Sequence, residues 1–102
     1  MDITTQLARE VGIELIDRSS MHLVALKDVP KLLDLALERR LGIVGIEGFY
    51  LRDKYIIPEM SAIADFSELV DSGDVVIATH RESRLFIQAL ENTDLYFEFV
   101  FR

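Results

Sequence analysis

Hydrophobic residues fall on two periods along this chain, and the switches between them mark its elements. Ile3, Leu7 and Val11 recur at a spacing of four with Gly12 behind them, which predicts a short first helix closed by a glycine cap. Ile13–Ile16 and Met21–Leu26 are strand-type runs separated by Asp17-Arg18-Ser19-Ser20, the pattern of an antiparallel hairpin. Val29, Leu32, Leu33, Ala36 and Leu37 match the i, i+3, i+4, i+7, i+8 template of an amphipathic helix over 29–40, with Asp28 placed to cap it and Gly42 to stop it. From Ile43 the pattern becomes strand-like to Arg52, turns at Asp53-Lys54 and returns through Tyr55-Ile56-Ile57 to Pro58. Gly45 and Gly48 weaken an ordinary strand, so they mark a bulge or a close approach.

Beyond Pro58, the residues Ile63, Phe66, Leu69 and Val70 fit a short helical turn or ordered loop starting near Ser61 and ended by Asp71-Ser72-Gly73. Asp74 resembles an N-cap for a helix through Leu90, yet Val75-Val76-Ile77 favours a strand locally, and Thr79-His80-Arg81-Glu82 is a capping box that offers a later start. The firm part of the helix is 82–91, and 74–81 stays open between helix and strand. Leu95, Phe97, Phe99 and Phe101 then alternate with Tyr96, Glu98, Val100 and Arg102 in a strict period of two. One apolar face implies a sheet covered on one side. The expected class is α+β, an antiparallel sheet of four to five strands with two to three helices packed on one face.

A length of 102 residues, half of them apolar, predicts a single domain over 1–102. Scaling of surface with mass gives roughly 6,000 Å² exposed after folding against roughly 17,000 Å² before it, enough burial to hold without staples. The absence of cysteine excludes disulfides, thiolate metal sites and cysteine nucleophiles, and favours a reducing compartment. Residues 1–6 lack the basic residues and apolar run of a secretory signal, and no apolar stretch approaches the ~20 residues of a membrane span. The expected location is the cytoplasm, with no membrane partner.

A formal charge of −7 repels phosphate backbones and so argues against nucleic acid. Between Tyr55 and His80 the chain carries Glu59, Asp65, Glu68, Asp71 and Asp74 without one Lys or Arg. A solvated face with helix caps explains this; so does a negative docking surface, interleaved with Ile56, Ile57, Met60, Ile63 and Phe66, that steers a basic partner. Tyr50 and Tyr55 are candidate anchors for such an interface if exposed. His22 and His80 stand beside no G-x-S-x-G elbow and form no H-E-x-x-H pair, so neither a catalytic residue nor a metal site is expected, and no cofactor. The three glycines Gly42, Gly45 and Gly48 lack the lysine of a P-loop.

The run Gly45-Ile46-Glu47-Gly48-Phe49, followed by Ile56-Ile57-Pro58 and by Ile63-Ala64-Asp65-Phe66-Ser67, resembles the immunity proteins found beside bacterial polymorphic and contact-dependent toxins. The resemblance extends more loosely to the helix before it and to the Phe86-Ile87 helix and Tyr96-Phe97-Glu98-Phe99-Val100 strand after it. It implies a non-enzyme that binds and occludes a cognate toxin domain, a basic nuclease by charge, and it carries over no catalytic residues. The expected partner-binding set is Glu47, Tyr50, Tyr55, Glu59, Asp65, Glu68, Asp71 and Asp74. The alternative is an adaptor that homodimerises or binds a partner through an edge strand, for which the terminal strand 95–102 is the candidate. A third reading, a small enzyme built on a carboxylate pair, requires a deep pocket.

Overall fold

The structure, a computed structural model, describes residues 2–71, 73–90 and 94–102, the side chains of Val70 and Asp71 excepted. Helix α1 spans Ile3–Val11; the Asp2 carboxylate accepts from the Thr5 N–H at 3.1 Å, and Gly12 at φ +73° closes the other end. Strands β1 (Leu15–Arg18) and β2 (Met21–Ala25) form the expected hairpin, tightened to a two-residue turn with Ser19 and Ser20 both at positive φ. That turn matches the twist of the strands it joins.

Helix α2 runs Val29–Glu38 and buries Val29, Leu32, Leu33 and Ala36. Its ends differ from expectation. Asp28 emerges from a single 3-10 turn, Leu26–Asp28, already in helical backbone, so its carboxylate makes no cap. The stop is Arg40 rather than Gly42. Arg40 takes φ +59° while its N–H reaches Leu37 O and the Leu41 N–H reaches Ala36 O, the paired bonds of a Schellman ending. Gly42 is instead packed against the Thr79 hydroxyl and the Arg102 carbonyl.

Strand β3 covers Ile43–Arg52 and, through Asp53-Lys54, leads into β4, Tyr55–Asp65. The pattern predicts a strand end at Pro58 and a helical turn or ordered loop from near Ser61; the strand instead continues to Asp65. Pro58 pairs with Phe49 on a strand with no neighbour beyond it, where a missing N–H is tolerated. Just past it the register slips: Glu47 opposes Ile63 while Phe49 opposes Pro58, so β4 carries three extra residues as a bulge. Gly48 makes room for it. A Cβ there would lie 2.7 Å from the Ala62 Cβ and 3.2 Å from the Phe97 ring.

The one turn of this region comes later, a 3-10 helix over Ser67–Asp71. Helix α3 spans Val75–Ala89, starting at Asp74, whose carboxylate accepts from the Ile77 N–H at 3.1 Å. Of the two starts that the sequence leaves open, Asp74 is the one used; the capping-box alternative at Thr79 fails because Thr79 is buried inside the helix. Its hydroxyl accepts from the Ile43 N–H at 3.0 Å and donates to the Val76 carbonyl, which fastens α3 to β3. Residues 91–93, at the expected end of this helix, lie outside the described residues.

Strand β5 is Tyr96–Phe101. All pairings are antiparallel, in the order β1-β2-β5-β3-β4. The class is α+β. Phe97 and Phe99 point into a core completed by Val24, Ile46, Leu32 and Leu33, as the period of two requires. The terminal strand is therefore no edge: β5 lies third of five, paired with β3 along its length and with β2 at Tyr96 and Phe97. Its alternating apolar residues suit a central position, and the edge role assigned to 95–102 is corrected; the edges are β1 and β4. No described helix is long and apolar enough to cross a membrane.

Candidate functional site

Helix α2 contacts α1 and α3, and the helices cover the sheet's Phe97 side. The opposite side carries no described helix, and although Leu23 and Phe49 are buried on it, its part around Glu47 and Glu98 is open for chemistry or binding. Residues directly opposite in an antiparallel pair share a face. The register therefore brings Glu47, Glu98 and Ile63 into one row on the helix-free face, with Gly45, Val100 and Asp65 in the next. These residues line a hollow of about 250 Å³. Gly45 and its bulge against β5 leave the floor open.

Glu47 and Glu98 are direct cross-strand partners of like charge, an arrangement that destabilises a sheet. Among the described residues no Lys or Arg bonds to either carboxylate. Partial burial, reinforced by the negative charge of Glu47, pushes the Glu98 carboxyl above its ordinary value, while His22 pulls more weakly the other way. The exposed side chains of Ile63 and Val100 flank the acids. The arrangement offers one-signed charge beside apolar surface.

The expected acidic docking run is only partly assembled. Asp65 lies in the hollow, with one oxygen accepting from the Ser67 N–H at 2.9 Å, a bond that keeps its carboxyl ionised to lower pH. Glu59 is held by the bulge: one oxygen accepts from the Ser61 N–H and hydroxyl, both at 3.1 Å, and the other from the Tyr50 hydroxyl at 3.0 Å. Those bonds, the Ser61 N–H foremost, lower its pKa. Asp74 is the α3 cap on the helix layer and pairs with Arg40 at 3.3 Å. Glu68 is exposed on the 3-10 turn, and the Asp71 side chain lies outside the described residues. Tyr50 is half-buried against the core with the Arg52 guanidinium 5.1 Å over its ring, so it is no exposed anchor. Tyr55 is exposed, at the β3–β4 tip.

Glu98 was missed. Its signal was present as the one charge inside the strand Tyr96-Phe97-Glu98-Phe99-Val100-Phe101, but its pairing with Glu47 depends on strand order.

The two histidines, His22 and His80, lie outside the lining of the hollow. His22 bonds Asp17 through Nδ1 and Asp2 through Nε2, and the Asp17 bond raises its pKa. The Thr5 hydroxyl donates to Asp2 rather than to the imidazole, the wrong order for activating a nucleophile. His80 is buried, and burial lowers its pKa. Among the described residues no group of three His, Cys, Asp or Glu side chains could hold a metal ion. No family model matches this chain, and neither a curated protein nor a solved structure matches it.

Proposed function

We propose that this chain is a protein-binding inhibitor of the immunity type, which occludes a basic toxin domain with the helix-free face of its sheet. The observation that carries the reading is the opposed pair Glu47 and Glu98, like charges kept together without a described Lys or Arg. Sites that break a local stability rule are where function is expected. A partner's Lys or Arg inserted between them converts repulsion into attraction, and Ile63 and Val100 add apolar contact at the rim. Steering by the −7 charge speeds encounter with a basic partner and rejects acidic ones.

The Gly45–Phe49 and Ile63–Ser67 segments, which resemble immunity proteins, supply the β3 and β4 parts of the hollow, and Glu98 and Val100 of β5 supply the rest. Catalysis is not needed for such a role. The test is co-expression with the toxin encoded by the adjacent gene: the chain restores growth and binds the toxin, and Glu47→Lys with Glu98→Lys removes both effects while the protein stays folded. Unchanged protection by that double variant, or no toxin bound by the parent chain, overturns the proposal.

A further inference from the structure

Four of the eight large apolar side chains exposed on the described surface lie on one strand: Tyr55 at 63 %, Ile57 at 45 %, Met60 at 76 % and Ile63 at 41 %. That strand is β4, and no described strand lies beyond it. An edge of eleven residues carrying so much apolar surface is a template for another strand. Natural edges are shielded by prolines and bulges, and here both shields, Pro58 and the extra residues that follow it, stand at the middle of β4. They leave two short pairing segments, 55–57 and 62–65, on either side.

The charges at the two ends are opposite. Arg52, Asp53 and Lys54 precede the first segment with one net positive charge; Asp65 ends the second and Glu68 follows it. The complement of such a strand is the same strand reversed.

We infer that β4 pairs antiparallel with β4 of a second copy of this chain, forming a continuous ten-strand sheet about a two-fold axis that passes through the bulge. Opposite residues in an antiparallel pair must share a face, which restricts the register. Ile56 and Ile63 are both on the helix-free face, opposite Leu51 and Glu47, and the register that sets Ile56 against Ile63 of the second copy also sets Lys54 against its Asp65. Pro58 then faces Ser61 and Glu59 faces Met60 of the second copy near the axis, within the bulge, where no continuous ladder is required. A parallel arrangement would bring like charges together. The two-fold axis stands perpendicular to the sheet, so both Glu47–Glu98 hollows open on the same side, and the inference holds whether or not a toxin occupies them.

Light scattering over a dilution series tests the mass, and the natural absence of cysteine gives a clean cross-linking test of the register. The expected results are a concentration-dependent dimer and a dissociation constant about tenfold weaker in Lys54→Glu, from two reversed rim ion pairs. An equimolar mixture of Ile56→Cys and Ile63→Cys chains should oxidise to a mixed covalent dimer faster than either chain alone. A monomer up to millimolar concentration overturns the inference, and so does a dimer indifferent to Lys54→Glu whose mixed cross-link forms no faster than the homotypic ones.

Discussion

The imidazole of His80 donates from Nε2 to the carbonyl oxygen of Leu41 at 2.8 Å, tying α3 to the segment between α2 and β3. A carbonyl can only accept, so the proton sits on Nε2, and Nδ1 is left as a buried acceptor without a partner among the described residues. Charging this ring would place a cation in the core beside Arg84.

The two histidines therefore act on stability in opposite directions. Burial holds His80 below the ordinary value of 6.5, so the unfolded chain takes up a proton that the native chain refuses. Its contribution is complete above that value and is lost as pH falls through the folded pKa. His22 is raised by its bond to Asp17, so its contribution is complete below 6.5 and is lost as pH rises through the folded pKa. Urea unfolding from about pH 5 to about pH 8 should lose its acid-side decline in His80→Gln and its alkaline-side decline in His22→Asn, the latter effect shrinking with salt because His22 is exposed.

Gly48 should be the glycine least tolerant of substitution. Gly48→Ala drives a methyl into Ala62 and Phe97, and a cost of about 1–3 kcal/mol is expected from overpacking. Adding Ala62→Gly should recover part of the loss, because the 2.7 Å contact disappears. Gly45→Ala meets nothing nearer than the Ala64 carbonyl at 3.5 Å and should cost less. Denaturant midpoints of the four proteins check the ranking.

Asp74 and Asp28 look alike in the sequence and should behave differently. Asp74→Ala removes a formed cap and should cost about 1 kcal/mol, most of it recovered in Asp74→Asn. The pairing with Arg40 is exposed and adds little. Asp28→Ala removes no cap bond and should stay within about 0.5 kcal/mol of the parent in thermal unfolding.

Glu98→Gln should stabilise the isolated protein at neutral pH by roughly 0.2–1 kcal/mol, because it ends the cross-strand repulsion with Glu47. The raised carboxyl of Glu98 means that the native state holds its proton longer, so stability declines as pH rises from the ordinary 4.5 through the folded pKa; the variant removes that decline. The same substitution should weaken binding of a basic partner. Calorimetric unfolding and titration on one preparation would read both effects, and a variant that is neither more stable nor a weaker binder contradicts the role given to the pair.

What the amino-acid sequence determined by itself was whatever depends on neighbours a few residues apart. The stripe Val29-Leu32-Leu33-Ala36 specified α2, the left-handed Gly12 ended α1, and the alternation from Leu95 to Phe101 told which side of the last strand faces the core. Gly45 and Gly48 announced bulges because a missing Cβ has few other uses in a strand. Tertiary structure decided the rest. Val75-Val76-Ile77 became helical because Asp74 caps it and Val76 is buried, which outweighs the local strand preference of β-branched residues. The chain continued as a strand past Pro58 because an edge position has no use for the missing N–H. Above all, strand order placed β5 in the centre and set Glu98 opposite Glu47, more than fifty residues away, and such pairings arise from the packing of one apolar face rather than from any local signal.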